Sequence, residues 1–211
     1  MVNIIILEGI PTAGKSQTIN NLIKFLKEKN KSFVFIDDHE IAKLIFERND
    51  ITNRDPVDGV EDHILDVLKK RFEDVDFIIM HNAHIFYMAL NAHRGKLESI
   101  VSDYSKIEEF FSKHNTLIVF LRIPKERIYS HYMFSINKRK ELNPNSRTDK
   151  FWSMKGSNDD ERIQYYENKQ LTYERLLKET RLNNVTYLIE GGIEIYPEFA
   201  KKILKYFRID V

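Results

Sequence analysis

Five short apolar runs recur along the chain, separated by segments in which apolar residues return at helical spacing. Residues 3–7 (NIIIL) form the first run, ended by Glu8-Gly9; a short unbroken run of this kind predicts a strand buried on both faces. Ile19, Leu22, Ile23 and Leu26 then mark one helical face, and the polar stretch 27–31 closes it. A second strand is expected at 33–36, running into Asp37-Asp38-His39-Glu40. Residues 39–75 are expected to be helical, with a loop-like interruption at 49–56. The third strand falls at 76–80 and the fourth at 116–121, with Ile100, Tyr104, Ile107 and Phe111 lining a helix between them. Pro124 suits a first helical turn and opens a helix bearing Ile128, Tyr132 and Ile136. A polar connector is expected from 138 to 150. Beyond it come a long helix through Ile163, Tyr166, Tyr173 and Leu177, a fifth strand at 185–189, and a last helix through Phe199, Ile203 and Phe207. Strands alternating with helices predict a parallel sheet covered on both faces, in one domain spanning 1–211.

Composition narrows this picture. Glycine and proline together supply 12 of 211 residues, about half the usual share, which favours helical α/β over a turn-rich sandwich. Lys+Arg 33 against Asp+Glu 32 removes any chain-wide basic excess, so a nucleic-acid partner is not expected. The absence of cysteine excludes disulfides, iron–sulfur centres and a cysteine nucleophile. No run reaches the ~18 apolar residues of a membrane span, and Met1-Val2-Asn3-Ile4 does not open a leader, so a cytoplasmic protein with no membrane partner is expected.

The sharpest chemical signal is Gly9-Ile10-Pro11-Thr12-Ala13-Gly14-Lys15-Ser16, which meets G-x-x-x-x-G-K-[ST] at every fixed position, between a strand and a helix. Its glycines let backbone N–H groups and the helix start, through Gln17, face phosphate oxygens. Lys15 would reach the β- and γ-phosphates of ATP, and the Ser16 hydroxyl would hold Mg²⁺. A guanine-reading N-K-x-D is absent. The third and fourth strands end in His81-Asn82 and Arg122, so neither supplies the carboxylate of a motor or transporter ATPase. A small-molecule kinase is the class that remains favoured.

Further candidates follow from strand ends, where ligands of parallel sheets sit. Asp37 and Asp38 end the second strand, taken as the neighbour of the first; alternation predicts that only one faces the site, where it would accept the acceptor proton or orient the acceptor. Glu40 is a weaker candidate, and Glu8 could brace the loop or order Mg²⁺ and its waters. Between Asp37 and Asp62, nine acidic residues stand against three basic ones; between Asn137 and Lys150, five basic residues stand against two acidic ones. The latter stretch is expected to form a lid, at 137–158, whose Arg139 and Arg147 close on the phosphates, with Lys138 and Lys140 as surface charge. Arg122 and Arg127 are further phosphate candidates. His81, Asn82, Phe86 and Tyr87 could line an acceptor pocket. His81 and His84 lack ligand spacing and a carboxylate partner, so zinc is not expected.

These residues resemble the P-loop nucleoside and nucleotide kinases, above all the thymidylate kinase and deoxynucleoside kinase branch. The similarity rests on Ile6-Leu7-Glu8-Gly9 leading into Gly14-Lys15-Ser16, on Leu121-Arg122-Ile123-Pro124, and on the stretch from Glu161 to Leu177. The resemblance implies a three-layer α/β/α P-loop NTPase fold with a five-stranded parallel sheet and a short helical lid. It also implies ATP and Mg²⁺, a nucleoside or nucleoside monophosphate as acceptor, and allows a homodimer. Asp37 or Asp38 would correspond to the acidic residue after the second strand, and Arg139 or Arg147 to lid arginines. His81-Asn82 replaces the Asp-Arg or Glu-Arg pair usual in that branch. Asp37-Asp38-His39-Glu40 looks more like kinases of small metabolites or antibiotics, which stand as the alternative, followed by a non-kinase regulatory NTPase.

Overall fold

Each apolar run becomes a strand: β1 (Asn3–Glu8), β2 (Phe33–Ile36), β3 (Phe77–His81), β4 (Asn115–Arg122) and β5 (Asn183–Leu188). The structure, a computed structural model, describes residues 1–38, 60–71, 74–92 and 104–211, with the backbone alone at 60–64 and 90–92. Every strand pairing is parallel and the order across the sheet is β2-β3-β1-β4-β5. The described helices are α1 (Lys15–Glu28), α2 (Val60–Arg71), α3 (His84–Ala92), α4 (Ser105–Ser112), α5 (Ile128–Leu142), α6 (Thr148–Ser153), α7 (Asp159–Glu179) and α8 (Ile195–Tyr206). None of them is long and apolar enough to cross a membrane.

Strand alternation sorts the core into two halves. Ile4 and Ile6 of β1, Ile78 and Met80 of β3, and Ile118 and Phe120 of β4 pack against α2, α3, α4 and α7. Ile5, Leu7, Ile79, Val119 and Leu121 pack on the other face, against α1, α5 and α8. The result is a three-layer α/β/α P-loop NTPase fold. The loop expected at 49–56, Glu40, most of the acidic stretch and Ile100 lie outside the described residues.

Two expectations are corrected. β2 is not the neighbour of β1; β3 lies between them, with Ile5 beside Ile79 and Phe35 beside Ile79 on its other side. The reason is burial: Phe77, Ile78, Ile79 and Met80 are all fully buried, as an interior strand requires, whereas β2 is half-buried along most of its length, as suits an edge. The basic stretch is also not a connector throughout. Helix α5 continues to Leu142, so Lys138, Arg139 and Lys140 occupy its last turns. A turn at 143–147 follows, tied by Asn145 N–H to Asn143 Oδ1 (3.0 Å) and by Ser146 N–H to Asn143 O (2.9 Å).

This helical arm is fastened to the body by an aromatic cluster. Trp152 of α6 is buried, stacks parallel on Tyr166 of α7 with centroids 5.7 Å apart, and lies 4.6 Å from Tyr132 of α5. Its indole N–H donates to Asp159 Oδ1 (3.2 Å). Helix α7 begins with an Asn158 cap that accepts from Glu161 N–H (2.9 Å), while Glu161 accepts from Ser157 N–H (2.7 Å). Trp152→Ala is expected to destabilise the protein by about 3–5 kcal/mol in urea unfolding; a loss under about 1 kcal/mol would contradict this anchoring.

Candidate functional site

The loop 9–16 joins β1 to α1 through backbone conformations that its sequence permits. Gly9 (φ 148°) and Gly14 (φ 80°) both sit at positive φ. A side chain at Gly9 would press on the Leu121 carbonyl oxygen at 2.7 Å, and one at Gly14 would strike the Tyr196 ring. Ile10 and Ala13 are fully buried and anchor the loop, while Pro11, Ser16 and Gln17 are exposed. Thr18 N–H makes the first helical bond, to Gly14 O (3.0 Å), and the first turn of α1 has no side-chain cap and no acidic residue. The N–H groups of Lys15, Ser16 and Gln17 therefore present the positive end of the helix to an anion.

Lys15 is buried, and its ammonium donates to Gly9 O (2.8 Å) and Ile10 O (3.1 Å). Burial, with a smaller push from Arg139, brings it down to about 8, against the opposing pull of Glu8 and Asp38. Glu8 shares the face of Ile4 and Ile6 and is fully buried; its Oε1 accepts from Ala83 N–H (2.8 Å), the Phe86 backbone N–H also favours its charged form, and its Oε2 has no close hydrogen-bond partner among the described residues. Burial pushes the Glu8 carboxyl up to about 7, although the Ala83 bond and the Lys15 charge oppose it.

Alternation sends the two aspartates to different surroundings. Asp38 continues the face of Ile36, which packs in the α3/α7 half of the core, and it accepts from Asn82 Nδ2 (2.7 Å). His81 Nδ1 lies 3.2 Å from Asp38 Oδ1, without hydrogen-bond geometry, and 3.5 Å from the more exposed Asp37. Burial alone would push the Asp38 carboxyl up, but His81, Asp37 and Asn82 outweigh it and hold the group well below the ordinary carboxylate range. Asn82 adopts positive φ (60°), which turns its buried amide back toward Asp38. The two imidazoles part company, and each has a carboxylate neighbour, contrary to the sequence expectation: His84 lies 3.5 Å from Glu108 and against Phe111, and His81 lies beside Asp37 and Asp38. The ligand atoms of Asp37, Asp38 and His81 lie within 4.8 Å of one another.

The basic candidates separate. Arg139 is exposed, contacts Thr148 Oγ1 (3.4 Å), and is close enough for its charge to act on Lys15. Arg147, just before α6, is exposed, and its guanidinium makes no hydrogen bond or ion pair with the described residues. Arg122 is committed elsewhere: its guanidinium is clamped by Glu174 (2.6 Å) and Glu167 (2.6 Å) of α7. Arg127 acts on Tyr196, the residue over Gly14, and lowers its phenol against the larger effect of burial. Lys138 and Lys140 form exposed pairs with Glu141 and Asp149.

Sequence reasoning missed two residues of α7. Lys169 and Tyr173 stand four apart on a face with Tyr166, Leu176 and Leu177, and both are buried. The available signal was a lysine lying on that apolar stripe. Lys169 Nζ lies 5.2 Å from the centre of the Phe86 ring.

The donors suit Mg²⁺. The Ser16 hydroxyl is exposed at the helix start, and Glu8 Oε2 and Asp38 Oδ1 are buried carboxylate oxygens without a hydrogen-bond donor, the hard ligands and water-holders this ion prefers. The family model described as "Chromatin associated protein KTI12" matches residues 2–87, which cover β1, the loop, α1, β2, α2, β3 and the start of α3. No curated protein matches the chain at a significant level. That likeness, the glycine loop and the parallel sheet together are the marks of a P-loop NTPase fold.

Glu8 gives a pH signature. Its folded-state value of about 7 lies above its ordinary 4.5, so the folded chain holds the proton more tightly than the unfolded one. Its contribution is full below 4.5 and is lost as pH rises toward 7, by up to about 3 kcal/mol. In urea unfolding without added nucleotide, Glu8→Gln is expected to gain on the wild type across that window. Parallel profiles for the two proteins would contradict the buried, protonated carboxyl.

Proposed function

We propose that the chain is an ATP-dependent kinase that transfers the γ-phosphoryl group to a small acceptor, a nucleoside or nucleoside monophosphate foremost. The observation that carries this reading is Asp38, fixed by Asn82 beside His81 and electrostatically coupled to Glu8 and Lys15 at the phosphate loop. An NTPase that only hydrolyses nucleotide needs water at the γ-phosphate. A carboxylate held at the end of another strand, beyond β3, suits a kinase, which must also orient an acceptor oxygen.

Lys15 and the loop N–H groups hold the phosphates, and the Ser16 hydroxyl would hold Mg²⁺, which neutralises charge on the β- and γ-oxygens when bound. Asp38 accepts a hydrogen bond from the acceptor hydroxyl. Its low proton affinity makes it an orienting group, with the proton leaving late, as a loose phosphoryl transition state allows. The acceptor oxygen bonds to the γ-phosphorus, the bond to the β,γ-bridging oxygen breaks, and ADP leaves. A hydroxyl acceptor's proton passes by way of Asp38 to water, whereas a monophosphate acceptor attacks through an ionised phosphate oxygen and has no proton to lose. Arg139 at the end of α5 is placed to neutralise charge on the transferring group, with Arg147 as a second lid arginine and 137–158 as the lid. Asp37 serves through His81.

A second reading has one specific support. The family match over 2–87 carries a name of chromatin association, which favours an NTPase working on a macromolecular partner. Incubation with ATP–Mg²⁺ and a panel of nucleosides, nucleotides and metabolites separates the two. The expected result is ADP released in step with a phosphorylated acceptor; acceptor-independent hydrolysis without such a product would overturn the kinase reading. Lys15→Met should lower turnover by about 10³-fold or more. Asp38→Asn should lower kcat by about 10–100-fold, while Asp37→Asn stays within about threefold.

A further inference from the structure

Lys169 is a lysine in a place where lysines are rare. It is 7% exposed, yet its ammonium makes no hydrogen bond or ion pair with the described residues. Its near contact is the face of Phe86, which offers a weak attraction compared with the hydration lost. Lys15 and Lys155 repel it and Glu8 attracts it, so it looks into the same space as the phosphate loop, from the opposite side of the sheet end. Burial and those two cations bring it down to about 8. Lys155 lies over the Tyr165 ring and has no carboxylate partner either.

Two hydroxyls lie on the elements that carry Lys169 and its Phe86 contact: Tyr173, one turn on along α7, and Tyr87, whose ring is 5.2 Å from that of Phe86. The Tyr87 and Tyr173 hydroxyls are buried without hydrogen-bond partners, and the charges of Glu8 and Asp38 reach both. Among the described residues, Glu8 and Asp38 are the carboxylates whose charge reaches the two phenols, and neither bonds Lys169. Two ammonium groups and two phenol hydroxyls, with no acidic partner of their own, form a donor set for a group with several anionic oxygens.

We propose that Lys169 seats a phosphate monoester carried by the acceptor, on the α3/α7 side of the sheet, with Tyr87, Tyr173 and Lys155 completing the seat. This inference rests on the kinase reading and sharpens it: the acceptor is a phosphorylated molecule, a nucleotide in preference to a nucleoside. The γ-phosphate of ATP belongs to Lys15 and the loop, so the two anions occupy separate cation sites with Asp38 and Glu8 near both.

The test fills the ATP site first. The full chain is saturated with the β,γ-methylene analogue of ATP and Mg²⁺, then titrated calorimetrically with inorganic phosphate as the probe. Phosphate is expected to bind the wild type. Lys169→Met should weaken it by about tenfold or more, Lys169→Arg should keep it within about threefold, and neither should alter the affinity for the analogue. Absence of phosphate binding, equal binding by Lys169→Met, or loss of the analogue in that variant would each overturn the proposal. Lys169→Met removes a buried charge, so its thermal midpoint is expected to equal or exceed that of the wild type; should it not fold, Lys169→Gln takes its place. Failure of the kinase reading is distinguishable. It would show as no acceptor-dependent ADP, while phosphate binding, measured if necessary on Lys15→Met without analogue, still depended on Lys169. Transfer to uncharged nucleosides at rates that Lys169→Met leaves intact would overturn this inference alone.

Discussion

The site depends on one buried charge. The Lys15 ammonium sits at the end of the central strand, held by the carbonyl oxygens of Gly9 and Ile10, with no carboxylate in hydrogen-bond contact. Two neutral carbonyls compensate a buried ammonium only in part, and burial draws its proton affinity down to about 8. Under the proposed function, polyphosphate supplies the missing counter-charge. The loop is therefore built around an interaction that nucleotide completes, and the positive φ of Gly9 and Gly14 lets the backbone wrap closely enough to share it.

Three strand ends bring the remaining chemistry to that charge. β1 contributes Glu8, β3 contributes His81 and Asn82, and β2 contributes Asp38, which reaches across to Asn82 because β3 separates it from the loop. Helix α7 closes the other side. Its Glu167 and Glu174 clamp Arg122, and the Gln170 amide bonds both Ile123 N–H and Ile123 O at 2.8 Å, which fixes the end of β4. Two carboxylates a few residues from one phosphate loop are driven opposite ways. Glu8, fully buried with one oxygen unmatched, holds its proton near neutrality; Asp38, surrounded by polar partners, does not. The pair gives the site a proton-holding group and an anionic orienting group from the same residue class.

Much of this was legible in the sequence, for identifiable reasons. The interior strands β1, β3 and β4 are buried on both faces and so are largely apolar runs. β2 and β5 are less buried, and their shorter apolar runs place them within a few residues, while the phosphate loop announces itself because its geometry requires its glycines. Sheet order was not legible, since adjacency depends on how the whole sheet buries its strands. The half-buried residues of β2 give it away only beside the fully apolar β3. The different surroundings of Asp37 and Asp38 were encoded in alternation, but reading them required knowing which core half Ile36 joins. Arg122 looked free because its clamps, Glu167 and Glu174, lie far along the chain. Lys169 was hidden by its setting: a single lysine on an apolar helical stripe reads as a solvated residue until the packing of α7 on α3 places Phe86 beneath it.

The central claim, that Lys15 is an incompletely compensated buried cation completed by polyphosphate, is tested most directly by following its ammonium through a pH titration by nitrogen-detected NMR. The measurement is made with and without the β,γ-methylene ATP analogue and Mg²⁺. The account predicts titration near 8 in the protein alone and a rise toward or beyond the ordinary 10.5 when the analogue is bound. A titration that the analogue leaves unmoved would contradict it.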